Sequence, residues 1–380
     1  MVGIRFRAAW PAAAGAALIA LAGAACSAGA GSGGATTVTG PAAQASQAAA
    51  NPNLDPGTTL NRPAPDFRLL DQFGQPVSLS QFRGEVVILA FNDSQCTTVC
   101  PLTTAAMVDA KDLLGPAADQ VRLLGIDANP DATSVADVMA YSRAHGMVNQ
   151  WDFLTGSRAQ LEAVWRSYGI AVQIVRGAID HTPALLVIDQ RGIEREIYLT
   201  QMYYAGIGQQ AQILANEVAS LLPGHPALAR QGSLSLISGI TPATAVTLPG
   251  VPRGQVTLGP GRPRMIVFFA TWLAETSDLR GNLLRLNSYA AAASGGRLPG
   301  LVAVDEAATE PSSGSAAAFL AGLGKPLAYP VAVDSSGRVA DGYQVIDQPW
   351  FALVSASGKI VWSHDGWLSV QALEAAARKA

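Results

Sequence analysis

The chain has 380 residues, of which 49% are hydrophobic and 14% charged, with a net charge of −3 at pH 7. The apolar share is sufficient for packed cores, which excludes a wholly disordered chain, and the lack of a basic excess argues against nucleic-acid binding. Three cysteines are too few for a disulfide-stapled scaffold or a four-cysteine zinc site. At roughly 150 residues per domain, the length indicates two domains.

The N-terminus is typical of an export signal. Two arginines precede an apolar run at residues 8–25, which ends at Cys26. The run resembles a bacterial lipoprotein signal, with residues 1–26 as the signal and Cys26 as the lipidation candidate; ordinary cleavage and an uncleaved anchor are the alternatives. We therefore predict an exported protein held at the outer face of the cytoplasmic membrane. Residues 27–59 contain almost no large apolar side chain and are predicted to form a disordered tether.

Strand and helix patterns alternate beyond the tether, which predicts an α/β fold with helices flanking a central mixed sheet. Strands are predicted at residues 77–79, 85–91, 121–126 and 184–189, and helices at residues 103–114, 135–145, 157–168 and 208–222. The strands at 85–91 and 121–126 are apolar on both faces, as central parallel strands must be.

The second half of the chain repeats the element order of the first. It has predicted strands at residues 265–270, 301–305 and 351–354 and a predicted helix at residues 278–291. A repeated order indicates an internal duplication. We therefore predict two tandem domains, residues 60–222 and 233–380, joined by a connector at residues 223–232 that begins with Pro-Gly-His-Pro.

Cys96 and Cys100 lie between a predicted central strand and a predicted helix. Sites in α/β folds form at the carboxyl ends of strands, and a helix N-terminus lowers the pKa of a cysteine thiol. Because side chains four residues apart share one helix face, the two sulfurs can form a disulfide or bind a soft metal such as Cu(I). The alternative is two small buried apolar side chains. His181 offers a third ligand, although a single histidine is more often a surface or hydrogen-bonded residue.

Four motifs follow one another in the first half. They are Cys-Thr-Thr-Val-Cys-Pro at residues 96–101, a loop from Gly-Ile-Asp at 125–127 through Pro-Asp-Ala-Thr at 130–133, Trp-Asp-Phe-Leu-Thr-Gly at 151–156 and Asp-His-Thr at 180–182. In this order they resemble the SCO/SenC family of thioredoxin-fold proteins, whose members carry Cys-x-x-x-Cys-Pro and an Asp-Pro-x-x-Asp-Thr-Pro loop. The resemblance covers the chain from about residue 65 to residue 222.

The resemblance implies a thioredoxin-like fold and a copper site, Cu(I) or Cu(II), with Cys96, Cys100 and His181 as ligands. It implies delivery of copper to the copper-bearing subunit of cytochrome c oxidase or another acceptor outside the cytoplasmic membrane. We therefore favour a copper metallochaperone. The alternative is a thiol–disulfide oxidoreductase acting on exported proteins, with Cys96 attacking, Cys100 resolving and a thiol reductant as partner. Disulfide exchange needs no imidazole ligand, so His181 favours copper.

Two further functions are less favoured. A thiol peroxidase fits Thr97 three residues before Cys100, but Asp93 stands where peroxiredoxins have a proline. A non-enzymatic adaptor, in which the two cysteines form only a structural disulfide, is the other alternative.

Pro183 stands where thioredoxin folds place a cis-proline facing the active cysteine. The Thr182–Pro183 bond is therefore predicted to be cis, with an ordinary trans bond as the alternative.

The second half resembles the TlpA-like branch of thioredoxins. Phe-Phe-Ala-Thr-Trp at residues 268–272 is the usual approach to Trp-Cys-x-x-Cys, but Leu273 and Thr276 occupy the two cysteine positions. Because no thiol is present, disulfide exchange is impossible there. Pro349 is a second cis-proline candidate. We predict a thioredoxin-like domain without catalytic cysteines that binds a partner or packs on the first domain; a relic without function is the alternative.

Overall fold

The computed structural model describes residues 54–175, 178–199, 203–229 and 240–378. The predicted signal, Cys26 and the tether as far as residue 53 lie outside these ranges. All described residues belong to one compact unit that contains two large sheets. We call residues 54–229 the first lobe and residues 240–378 the second lobe. None of the helices in these ranges combines the length and apolar character needed to cross a membrane.

The first lobe contains a six-stranded mixed sheet. The strands of the whole first lobe, in chain order, are β1 (Thr58–Pro63), β2 (Arg68–Leu70), β3 (Pro76–Ser78), β4 (Val86–Asn92), β5 (Val121–Asp127), β6 (Asp152–Leu154), β7 (Val172–Val175), β8 (Ala178–His181), β9 (Ala184–Ile188) and β10 (Ile193–Leu199). The large sheet has the order β1-β10-β9-β4-β5-β6, while β2–β3 and β7–β8 pair separately. Every residue of β4 and β9 is buried, which fits their central positions.

Helices cover this sheet. They are α1 (Val99–Leu113), α2 (Val135–Ala144), α3 (Arg158–Tyr168) and α4 (Ile207–Leu221), with 3₁₀ turns at Leu79–Phe82, Gly115–Gln120 and Tyr204–Gly206. Capping boxes begin α2 at Ser134 and α3 at Ser157, since each serine and the residue three positions later satisfy each other's backbone N–H. Helix α1 begins four residues earlier than predicted, so Cys100 lies in its first turn.

The second lobe contains a seven-stranded mixed sheet. Its strands are β11 (Val246–Val251), β12 (Gln255–Leu258), β13 (Arg264–Phe269), β14 (Gly300–Asp305), β15 (Val331–Val333), β16 (Trp350–Val354) and β17 (Ile360–Asp365), in the sheet order β12-β11-β15-β14-β13-β16-β17. Its helices are α5 (Leu279–Ala293), α6 (Ser315–Ala321), α7 (Arg338–Gly342) and α8 (Val370–Ala377), with 3₁₀ turns at Thr271–Glu275 and Ala307–Thr309.

Five strands of each sheet share one order and one set of directions. In the first lobe, β10-β9-β4 are antiparallel neighbours and β4-β5-β6 are parallel. In the second lobe, β17-β16-β13 are antiparallel and β13-β14-β15 parallel. The α/β class is therefore confirmed, and the two lobes have this five-strand order in common.

The two lobes share apolar contacts and hydrogen bonds. Leu102 and Ala106 of α1 lie in a buried cluster with second-lobe side chains such as Phe268. Both carboxylate oxygens of Asp341 accept hydrogen bonds from first-lobe backbone, at 2.9 Å from Tyr204 N and 3.0 Å from Ala205 N. The second lobe thus packs on the first, one of the two roles predicted for it.

A buried histidine also joins the lobes. The His145 ring lies 4.2 Å from the Tyr141 ring and 4.9 Å from the Trp272 ring of the second lobe, measured between centroids. Burial lowers the pKa of His145 from 6.5 to about 3, because the charged imidazolium loses its hydration. The ring is therefore neutral at neutral pH.

Two predictions about boundaries and isomers are wrong. The tether does not extend to residue 59, because Leu54 is buried in the first core and β1 pairs with β10 from Thr58 onward. The Thr182–Pro183 bond is trans, the usual isomer of X–Pro bonds. Thr182 N donates a hydrogen bond to Ala171 O, which extends the β7–β8 pairing as far as this bond. The Gln348–Pro349 bond is cis, as predicted for the second candidate.

A substitution at Gly337 can test the contact between the lobes. It has φ 66°, and an added Cβ would lie 2.5 Å from the carbonyl carbon of Tyr204 in the first lobe. Gly324 has φ 75° with open space around it. We expect Gly337→Ala to lower the free energy of unfolding by about 1–3 kcal/mol more than Gly324→Ala, because only the first adds a clash to the backbone strain. Urea unfolding measures both, and equal losses would contradict the packing described.

Because His145 is buried as a neutral ring, we predict that the folding stability of the protein decreases in acid. Below its ordinary pKa of 6.5 the unfolded chain gains a proton at this ring, while the folded chain stays neutral down to about pH 3. In this window folding stability falls as the pH falls, by up to about 1.4 kcal/mol per pH unit from this group. Urea unfolding between pH 5.5 and 4.5 should show a shallower loss for His145→Phe than for the unsubstituted chain. Equal slopes would show that His145 is not buried as a neutral ring.

Candidate functional site

Cys96 and Cys100 lie at the carboxyl end of β4, where the chain enters α1. Cys96 is half-buried and Cys100 is buried, and neither forms a disulfide. The backbone N–H of Cys100 donates to Cys96 Sγ at 3.4 Å, and the Thr98 hydroxyl lies 3.3 Å from the same sulfur. The first turn of α1 therefore directs an otherwise unpaired amide at Cys96.

The two thiols have opposite acidity. Hydrogen bonding to Cys96, first from the Cys100 thiol and then from Thr98 and backbone amides, lowers the Cys96 pKa despite burial. Burial and the nearby Cys96 sulfur raise the pKa of Cys100 well above its usual range. Cys96 is therefore the more acidic thiol of the pair and Cys100 the less acidic one.

His181 faces the same sulfurs from the end of β8. Its Nδ1 lies 3.2 Å from the Thr182 carbonyl oxygen and its Nε2 lies 3.9 Å from Cys100 Sγ. Because a carbonyl can only accept, Nδ1 carries the proton and Nε2 presents a lone pair toward the sulfur. Burial lowers the pKa of His181, so the ring is a neutral donor, the form in which histidine binds metals.

The three predicted ligands line one cavity of ≈ 230 Å³, together with Asp93, Thr98 and Asp180 among others. A thiolate and an imidazole bonded to one metal ion at about 2.3 and 2.0 Å, with an angle near 120°, lie about 3.7 Å apart. The observed 3.9 Å between Cys100 and His181 is close to this value. Among the described residues, however, no group of three His, Cys, Asp or Glu side chains is already assembled for a metal ion. To hold a metal ion together, Cys96, Cys100 and His181 would therefore have to change their side-chain positions.

Buried polar residues hold the loop before Cys96. Asp93 accepts from Gln95 N and from Asn129 Nδ2, both at 2.7 Å. Asp127, at the end of β5, accepts from Ser94 N at 3.2 Å and Asn129 N at 3.1 Å. Burial raises the pKa of Asp127 well above its usual range. This network joins the ends of β4 and β5 and fixes the path of the chain into Cys96.

The sequence analysis did not identify the supporting role of these residues. Asp127 ends a predicted central strand beside the strand that leads to Cys96, and the ends of parallel neighbours meet at one edge of a sheet. That pairing was the available signal for Asp127. The contact between Asp93 and Asn129 joins two loops and has no local pattern.

Part of the chain matches the model of a known protein family. Residues 57–215 match the SCO1/SenC family. The matched segment contains Cys96, Cys100 and His181 and lies within the first lobe.

Individual relatives agree with the family match. The SCO1 protein homolog of Bacillus subtilis is 30% identical over 105 residues, which are 27% of this chain and 54% of the relative. The mitochondrial SCO2 homolog of Bos taurus is 29% identical over 147 residues, covering 35% of this chain and 52% of the relative. The chain thus spans about half the length of the curated relatives it matches.

Solved structures of Sco proteins also align with part of the chain. The apo Sco1 protein from Thermus thermophilus is 26% identical, with a TM-score of 0.37 over 44% of this chain and 96% of that chain. Bradyrhizobium japonicum ScoI with copper bound is 22% identical, with a TM-score of 0.36 over 42% of this chain and 99% of that chain.

The acidity of Cys96 can be tested through Thr98. Its side chain makes no capping hydrogen bond to α1, so Thr98→Ala removes the hydroxyl near Cys96 Sγ and leaves the cap as it is. Losing a donor to the thiolate should raise the Cys96 pKa by about half a unit to one unit, equivalent to about 0.7–1.4 kcal/mol. The pH dependence of iodoacetamide alkylation measures this, in a full-length Cys26→Ser chain. Thr97→Ala is the control, because Thr97 hydrogen-bonds to Asp347 instead; equal shifts in the two variants would refute the assignment.

Proposed function

We propose that the first lobe binds one copper ion through Cys96, Cys100 and His181 and passes it to an acceptor. Copper is here the cargo of the protein. The observation that carries the proposal is the placement of a neutral imidazole, with its Nε2 lone pair 3.9 Å from Cys100 Sγ, in one cavity with both cysteines. Two sulfurs and one imidazole nitrogen are soft ligands that favour Cu(I).

The ligand set also suits release. Three protein ligands leave an open position for a ligand from an acceptor, so the ion can be exchanged without first dissociating into water. Cys100, whose thiol keeps its proton unless metal binds, makes the site dependent on pH because binding must displace that proton.

The acceptor we propose is the copper-bearing subunit of cytochrome c oxidase, or another copper protein outside the cytoplasmic membrane. The SCO1/SenC match over residues 57–215 supports this assignment. The apolar run at residues 8–25, followed by Cys26, supports export and anchoring at the outer face of the membrane.

Thiol–disulfide exchange is the second candidate. It is favoured by the contrast between a Cys96 thiol of lowered pKa and a Cys100 thiol of raised pKa, which separates an attacking from a resolving sulfur. A thiol reductant would then be the partner. This chemistry uses no imidazole ligand.

We further propose that the second lobe is a thioredoxin-like domain without catalytic cysteines. The five-strand order it shares with the first lobe supports this, as does the turn at Thr271–Glu275 directly after β13, where the first lobe has its cysteine loop after β4. Because Leu273 and Thr276 occupy the cysteine positions, the second lobe cannot perform disulfide exchange, and its role is to stabilise the first lobe or to bind a partner.

Anaerobic titration with Cu(I) against a competing chelator tests the copper site. We expect the reduced full chain carrying Cys26→Ser to bind one equivalent tightly. Cys96→Ser and His181→Ala should each weaken binding by at least about tenfold, because the Asp93 and Asp180 carboxylates that also line the cavity are hard ligands that suit Cu(I) poorly.

His364→Ala is the matched control, since His364 lies on β17 of the second lobe and stacks on Trp362. It should leave the affinity unchanged. If His181→Ala keeps full copper affinity, His181 is not a ligand. If no variant binds copper and the oxidised chain contains a reducible Cys96–Cys100 disulfide, the second candidate replaces the first.

A further inference from the structure

Cys96 also lines a second cavity on its other side, between the two lobes. This cleft has a volume of ≈ 570 Å³, within the range of sites for small molecules. Cys96 and Thr97 form part of its first-lobe wall. Leu273 and Thr276, in the positions of the missing cysteines, form part of the wall from the second lobe. We refer to it as the interlobe cleft.

The charges around the interlobe cleft have one sign. Asp137 and Glu275 contribute carboxylates, and no lysine or arginine of the described residues lines it. One oxygen of Asp137 is engaged in the cap of α2, whereas Glu275 is exposed and has no ion-pair partner in the described ranges. The cleft therefore attracts cations in preference to anions.

The remaining walls suit an ammonium group. Trp272, Trp367 and Tyr141 present aromatic rings, whose faces attract cations. His145 is 9% exposed and lines the cleft, and its buried Nδ1 atom has no hydrogen-bond partner among the described residues. A bound amine that penetrates to this buried atom would supply the missing partner.

We propose that the interlobe cleft binds a small disulfide or thiol that carries a primary amine, and presents its sulfur to Cys96. The proposal rests on the proposed role of Cys96 as the attacking sulfur, which its position supports: Cys96 is half-buried, lines this cleft and accepts a hydrogen bond from the Cys100 amide, whereas Cys100 is buried. It adds the class of small molecule with which that sulfur exchanges, and it gives the second lobe a part in selecting it.

The exchange balances in two steps. The Cys96 thiolate attacks one sulfur of the aminothiol disulfide; a Cys96–sulfur bond forms, the disulfide bond breaks, and one aminothiol leaves as a thiolate that takes a proton from water. Cys100 then loses its proton to solvent and attacks Cys96 Sγ, which forms the Cys96–Cys100 disulfide and releases the second aminothiol. The small disulfide gains two electrons and the cysteine pair loses two. In reverse, two aminothiols reduce the oxidised pair.

The test compares a cationic with an anionic disulfide. In the full chain carrying Cys26→Ser and Cys100→Ser, Cys96 is the only thiol and the reaction stops at the mixed disulfide. Intact mass measured over time gives the rates with cystamine, which has two ammonium groups, and with 3,3′-dithiodipropionate, which has two carboxylates. We expect cystamine to react at least about tenfold faster at low ionic strength, and the preference to shrink as salt is added.

Glu275→Gln tests whether the preference for cystamine comes from the carboxylate in the cleft or from the net negative charge of the whole protein. It should reduce the cystamine preference by about three- to tenfold, because a carboxylate within several ångströms of the bound amine is lost. Asp119→Asn is the matched control: it also removes one negative charge, but it lies beyond the far end of α1, about 20 Å from the first turn. Equal effects of the two substitutions, or no preference in the parent chain, would overturn the proposal.

The outcome is distinguishable from that of the copper titration. If the chain binds copper but shows no charge preference, only this inference is wrong. If the chain prefers cystamine in a Glu275-dependent way but binds no copper, this inference stands and the proposed copper function is wrong. If Cys96 reacts with neither disulfide, its role as the reactive thiolate is wrong and the inference fails with it.

Discussion

The burial of helix α1 on two sides determines where the reactive sulfurs lie. Met107 and Ala110 pack into the core of the first lobe, while Leu102 and Ala106 pack among side chains of the second. A helix that is apolar on several faces must be covered on each of them. Because α1 cannot shift without exposing one of these surfaces, Cys100 in its first turn is fixed with respect to both lobes. The Cys100 amide then fixes the acceptor sulfur of Cys96.

This anchoring explains how two neighbouring cysteines acquire different chemistry. Cys96 precedes the helix and receives its unpaired amide, so its thiolate is stabilised; Cys100 is part of the helix and buried, so its thiolate is disfavoured. The contrast serves copper binding and disulfide exchange equally well. What separates the two functions is His181, because its tautomer, set by the Thr182 carbonyl, directs a lone pair at sulfur, which exchange chemistry does not require.

The sequence predicts every described helix of ten residues or more, and the most buried strands, because their apolar periodicity is local. It misses β1, at the edge of the first-lobe sheet, and its neighbour β10, because a mixed pattern becomes a strand only through pairing. The cysteine pair and His181 follow from motif spacing and family resemblance. The contact between Asp93 and Asn129, and the cleft between the lobes, depend on how distant segments meet, which no local pattern encodes.

The absence of cysteines from the second lobe has a physical consequence for the first. Leu273 is buried in the second core, and with Thr276 it lines the cleft opposite Cys96. A cysteine at either position would add a further thiol to the residues that line this cleft, and that thiol could attack a disulfide formed at Cys96. An apolar and a hydroxyl side chain there cannot react with the sulfur. The second lobe therefore forms a wall of the cleft without capturing Cys96, which leaves this sulfur available for the copper binding and the disulfide exchange that we propose for it.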